Sequence, residues 1–145
     1  MPFVSEAQRR YLMLNEPEVY REFRAKERAG ELDLRPPATV AAAARRGLEL
    51  RREFGRGGTA VGVARARDLA GRRTLSLDTA RRMVAYFERH AVDLEAPAAK
   101  PGHPDYPSPG RIAWLLWGGT AGRTWARKIV RQQQRLEELA KKGTE

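Results

Sequence analysis

Eleven arginines between residues 45 and 82 are the side chains best suited to do chemistry in this chain, and that chemistry is the holding of phosphate. They are Arg45, Arg46, Arg51, Arg52, Arg56, Arg65, Arg67, Arg72, Arg73, Arg81 and Arg82. A guanidinium is planar and weakly hydrated, and grips a phosphate with two parallel hydrogen bonds where lysine offers a point charge. Residues 39–92 carry 12 Arg against 5 acids, a balance of +7, whereas residues 1–38 balance to zero. Residues 93–110 contribute −2 and residues 111–145 contribute +5, giving the net +10 of the chain. An asymmetric positive field of this kind concentrates polyanions.

Other residue types suggest other chemistry. His90 and His103, with Asp93 and Asp105 nearby, could ligate a metal or exchange protons. Their spacing matches no strong metal motif, and capping of a helix C-terminus is the alternative for His90. Gly55-Arg56-Gly57-Gly58-Thr59 could cradle a phosphate at a helix start, or simply end one helix and begin the next. Ala64-Arg65-Ala66-Arg67-Asp68 sets two arginines about 200° apart on a helix, so that one can face a phosphate while the other pairs with Asp68. Trp114, Trp117 and Trp125 could stack bases, or form the core of a helical corner in which Gly118 and Gly119 let the helices meet. With no GxSxG, no paired carboxylates in an apolar setting and no Cys, no catalytic residue, metal ligand or cofactor is assigned.

These side chains must be held by helices. Apolar spacing, capping residues and the absence of strand alternation predict an all-α class of roughly six or seven short helices. Ser5 with Gln8 forms a capping-box pattern, and Asn15 before Pro17 caps a second short helix. Thr39 caps a helix running to about Phe54, Thr59 one to about Ala70, and Ser76 a third whose apolar stripe is Leu77, Ala80, Val84 and Phe87. Ser108 begins the helix holding Ile112 to Trp117, and Thr120 caps the last. Residues 91–110, with five of the nine prolines, read as a long Pro-rich loop. The division expected is an N-terminal helical arm and linker over 1–38 and a basic helical domain over 39–145. Residues 59–90 also allow a helix-turn-helix, with Asp78, Thr79, Arg81 and Arg82 facing bases, although the five-residue turn is long for one.

Two segments resemble known proteins. Residues 2–23, with Pro2-Phe-Val-Ser-Glu-Ala-Gln-Arg-Arg-Tyr-Leu and then Asn15-Glu-Pro-Glu, are similar to a "PFxSxAQRRxL…xxPE" segment of small tailed-phage proteins. Residues 41–131 resemble a phage and prophage module, sometimes near or fused to prohead-protease-like proteins. The matching stretches are Ala44-Arg-Arg-Gly-Leu-Glu-Leu-Arg, Gly57-Gly-Thr-Ala-Val-Gly-Val-Ala-Arg-Ala-Arg-Asp-Leu, Leu75-Ser, Arg82-Met, Phe87-Glu-Arg-His, Gly110-Arg-Ile-Ala-Trp-Leu-Leu-Trp-Gly-Gly, Gly122 and Trp125-Ala-Arg. The resemblance carries no catalytic residue across. It implies a phage protein working in the cytoplasm of an infected host or in the virion, in contact with packaged DNA, RNA or capsid.

The reading is therefore a non-catalytic nucleic-acid-binding protein, DNA ahead of RNA, whose eleven arginines neutralise about six phosphates and give a salt slope near −5. The alternative is a head-assembly protein whose Phe3, Tyr11, Leu12, Tyr20 and Phe23 dock on a phage or host partner. The first 20 residues are polar and charged, so no secretory signal is expected, and no apolar run is long enough to span a membrane.

Overall fold

Three short polar side chains set the helix starts that matter most. Thr59 accepts from the Gly62 N–H at 3.2 Å, Ser76 from the Thr79 N–H at 3.1 Å and Ser108 from the Arg111 N–H at 3.1 Å. Each satisfies one of the orphan donors of a first helical turn. In the computed structural model, which describes residues 6–21 and 33–144, these caps open helices α4 (Ala60–Ala70), α5 (Leu77–His90) and α6 (Pro109–Leu116). The others are α1 (Glu6–Asn15), a short α2 at residues 17–21, α3 (Ala38–Phe54) and α7 (Gly119–Thr144). The chain is all-α, with no strand among the described residues.

Three expected caps are replaced by other devices. Helix α3 begins at Ala38 behind Pro37, whose fixed φ of −62° suits the position without any side-chain bond. Asn15 donates from its side-chain amide back to the Tyr11 carbonyl, 3.2 Å away, instead of capping α2. Thr120 lies inside α7, which starts at Gly119, and its hydroxyl accepts from the Trp114 indole N–H at 3.4 Å. Ser5 lies outside the described residues, and its expected partner Gln8 donates to the Leu136 carbonyl.

The Pro-rich segment is irregular only in its second half, residues 100–108. Residues Ala91–Glu95 and Pro97–Ala99 form two 3-10 turns. The Ser108 N–H returns to the Ala98 carbonyl at 2.9 Å, and the Arg111 guanidinium donates to the Ala99 carbonyl at 2.9 Å.

The chain divides differently from the expected arm and domain. Residues 34–127 form one compact unit, and residues 1–33 form another with 128–145. The reason lies in apolar pairing: Leu12 and Leu136 are both fully buried and pack together with Tyr11, Val19, Tyr20 and Leu139. In the larger unit α3 and α4 form a helical hairpin, closed by Gly55 in the left-handed conformation at φ +63°. Behind it sits the aromatic core. Trp114 is 1% exposed and meets Phe87 edge-on, with ring centroids 4.7 Å apart. The three tryptophans therefore belong to the core: Trp117 and Trp125 pack against it half-buried. Gly118 and Gly119 take φ +106° and +65°, and a Cβ on Gly118 would fall 2.8 Å from Val40 Cγ1. Only glycine turns the chain there at that distance.

On α5 the buried residues are Ala80, Met83, Tyr86 and Phe87. Leu77 and Val84, expected in the stripe, are half-buried at its margin. Among the described residues α4 packs on α3 and α6 while α5 packs on α6 and the first 3-10 turn. The mutual packing of a helix-turn-helix pair is absent. Asp78 instead pairs with Arg82 at 3.1 Å, and Thr79 bonds Ser76.

Candidate nucleic-acid interface

The α3–α4 hairpin gathers four arginines, Arg45, Arg51, Arg52 and Arg67, along its own groove. On α3, Arg45, Leu48 and Arg52 fall at i, i+3 and i+7 and so share one face, with Arg51 beside them. On α4, Val63, Arg67 and Ala70 do the same. Leu48, Arg51, Arg52, Val63 and Arg67 line a cleft of about 240 Å³. Its floor is apolar, its walls are guanidinium groups, and no carboxylate lines it. Arg51 donates from Nε to the Gly57 carbonyl at 3.0 Å, which fixes its side chain and leaves the outer N–H groups open. Arg45 reaches the Ala70 carbonyl at 3.5 Å at the other end of the groove. Arg52 and Arg67 are exposed and form no ion pair among the described residues. Arg45 and Arg52 are roughly 10 Å apart along the helix axis. A chain of phosphates can be met at more than one point.

The eleven arginines do not form one continuous strip. Four of them are paired with carboxylates: Arg46 with Glu49 at 3.2 Å, Arg82 with Asp78, and both Arg65 and Arg73 with Asp68 at 3.5 Å. Arg65 is largely buried, its guanidinium lying 5.8 Å above the Trp117 ring. This resolves the Arg65/Arg67 pair: the first is internal and the second faces solvent. Two arginines are braces. Arg56 donates to the Asp105 and Pro107 carbonyls, both at 3.0 Å, tying the glycine-rich turn to the Pro-rich segment. Arg72, at φ +51°, donates to the Pro36 carbonyl at 2.8 Å. Arg81 is exposed and stands on α5, away from the groove helices. The groove keeps Arg45, Arg51, Arg52 and Arg67.

Replacing Arg56 by alanine therefore lowers stability by about 1 kcal/mol, through two lost bonds to carbonyls at a surface site. For a ligand held in the α3–α4 groove, the expected change in affinity is within about twofold. Thermal unfolding together with a binding titration checks both halves.

The docking residues fare differently. Leu12 is fully buried against Leu136, and Tyr11 and Tyr20 are half-buried in the same cluster, so they are spent on packing. Phe3 and Phe23 lie outside the described residues. The large exposed apolar side chains of α1 are Met13 and Leu14, at 49% and 69% exposure. Of the histidines, His90 Nδ1 lies 2.9 Å from Asp93 Oδ2, and His103 Nδ1 accepts from the Asp105 N–H at 3.1 Å. Among the described residues no group of three or more His, Cys, Asp or Glu side chains is placed to hold a metal. Likewise no helix there is long and apolar enough to cross a membrane.

Sequence reasoning missed Leu48 and Val63, the groove floor, and a second cleft around Tyr86. The signal for the floor was present: Leu48 sits between Arg45 and Arg51/Arg52 at helical spacing. No protein-family model, curated protein or solved structure matches the chain.

Proposed function

We propose that the chain binds the phosphate backbone of nucleic acid, DNA ahead of RNA, along the α3–α4 groove, without catalysis and in a phage setting. The observation that carries this reading is the carboxylate-free cleft bearing Arg51, Arg52 and Arg67 over an apolar floor. Residues 34–127 hold 17 Lys and Arg against 8 Asp and Glu, so this unit supplies +9 of the net +10. The field around the groove then steers a polyanion toward it. Four arginines contact phosphates, in place of the roughly six contacts expected from the sequence. The slope of log affinity against log salt for duplex DNA is accordingly roughly −3.6. Titration of a labelled duplex at several salt concentrations measures it. A flat response, or no binding near 0.1 M salt, rejects the proposal.

The assembly reading keeps one observation, the adjacent exposed Met13 and Leu14 on α1. In that case changing both to serine abolishes incorporation into head particles and leaves DNA binding intact.

A further inference from the structure

Given phosphate binding along the α3–α4 groove, on which this step rests, we infer that the preferred occupant is an unpaired strand, with one base seated on the Leu48 and Val63 floor beside the Arg51 guanidinium. Leu48 and Val63 are half-buried, packed on one side against the core and bordering on the other a cleft of about 240 Å³. A duplex does not suit that floor. It turns its phosphates outward and keeps its bases stacked and paired. Laid over the cleft, it sets charged oxygens above two aliphatic side chains, which cannot replace the water those oxygens lose. Helices in contact pack with their axes about 8–10 Å apart, so the furrow between α3 and α4 is narrow. A duplex rests on its crests and leaves the floor uncovered. A strand with splayed bases can put a planar face down between the helices while its phosphates stay at the cationic rim.

Arg51 supplies the second surface. Its Nε donates to the Gly57 carbonyl at 3.0 Å, and the side chain lines the cleft with the floor residues. A guanidinium tethered in this way is a ready plane for a base, since arginine stacks on aromatic faces as well as pairing with phosphate. Arg52 and Arg67 line the same cleft, exposed and without a carboxylate partner among the described residues. Glu49 and Asp68, which follow Leu48 and Arg67 in the chain, are held by Arg46 and by Arg65 and Arg73. The cleft therefore offers an apolar floor, a fixed plane and two open cations. A nucleotide within a strand presents the complement of all three, a flat base joined to phosphates on either side.

Phosphate contacts alone give the opposite preference. A duplex has the higher charge density, and each contact contributes about 0.9 to the salt slope against about 0.7 for a single strand. A protein that meets only phosphates thus binds the duplex more tightly. A preference for the unpaired strand has to come from bases meeting protein, and the floor beside Arg51 is where the groove offers that contact.

The test is fluorescence anisotropy of the full chain near 0.1 M salt. The labelled ligands are oligothymidylate, oligouridylate, a hairpin duplex and an abasic strand, all of equal phosphate number, with a polyglutamate peptide of equal charge as competitor. The better of the two unpaired strands binds at least about fivefold more tightly than the duplex, and at least about fivefold more tightly than the abasic strand. Its salt slope is roughly −2.8, four contacts at about 0.7 each. Arg51→Lys, which keeps the charge and loses the plane, weakens that strand about fivefold and the duplex by less than about twofold. The abasic comparison needs no variant and stands whatever Arg51→Lys does to the fold. Tighter binding of oligothymidylate assigns the cleft to DNA and of oligouridylate to RNA; both uphold the preference. Duplex binding as tight as that of the strands, an abasic strand matching them, wild-type strand affinity in Arg51→Lys, or equal competition by polyglutamate overturns it. If Arg52→Ala with Arg67→Ala still weakens the duplex, the groove reading survives that failure. If the double variant binds every ligand as the wild type does, the groove reading itself is lost.

Discussion

On the proposed groove binding, changing Arg52 and Arg67 together to alanine lowers duplex-DNA affinity roughly 10- to 100-fold near 0.1 M salt and reduces the salt slope by about 1.8. Each phosphate neutralised by a basic side chain contributes about 0.9 to that slope, through release of condensed counterions. These two side chains are the groove cations with no ion pair and no hydrogen bond among the described residues, so their donors are the ones most available to phosphate. Their removal does not disturb the fold. Both are exposed, and the floor beneath them is Leu48 and Val63. The loss is uniform across sequences, because backbone contacts carry no base information. Fluorescence anisotropy at four salt concentrations, with unrelated duplexes of equal length, measures both quantities. An unchanged slope in the double variant places the contacts elsewhere.

Gly47→Ala destabilises the protein by about 2 kcal/mol and lowers the Tm by roughly 8 °C. Glycine inside a helix ordinarily costs about 1 kcal/mol relative to alanine, so the naive expectation is a gain. Here α3 crosses α6 so closely that a Cβ on Gly47 would lie 2.7 Å from the Leu116 nitrogen and 2.9 Å from the Leu115 carbonyl carbon. Both are backbone atoms inside a helix and cannot swing aside, so the helices must part. The core between them, including Leu50, Ile112 and Leu116, then loses contact area. Gly55 is the control: a Cβ there meets nothing within 4 Å, and Gly55→Ala costs only about 1 kcal/mol for its positive φ. Equilibrium denaturation of the two variants compares steric with conformational cost.

The helices were legible wherever one short polar side chain decides a terminus locally. Thr59, Ser76 and Ser108 each bond an N–H three residues on, and that relation is written in the sequence. Thr39, Asn15 and Thr120 have the same chemistry available, and the chain uses other devices. Proline does the work before α3, and Trp114 claims the Thr120 hydroxyl across a turn. The tryptophan corner was legible because three large rings among Ile112, Leu115 and Leu116 have nowhere else to go. The individual tasks of the arginines were not. Arg56 meets carbonyls 49 and 51 residues away, and Arg72 meets one 36 residues away. No local pattern announces such a partner. Tyr86 escaped notice because its ring is buried one position away from the expected stripe and its hydroxyl disguises it as polar.

Asp68 lies between two guanidinium groups, those of Arg65 and Arg73, and directly follows Arg67 in the chain. That acid thus masks one exposed cation, Arg73. Substituting asparagine there raises the formal charge by one and also releases the exposed Arg73, so the effective valence toward a polyanion rises faster than the net charge does, while Arg65 stays buried over Trp117. On the proposed phosphate-binding role, one mutation that touches none of the contacts themselves then shifts the strength of the grip.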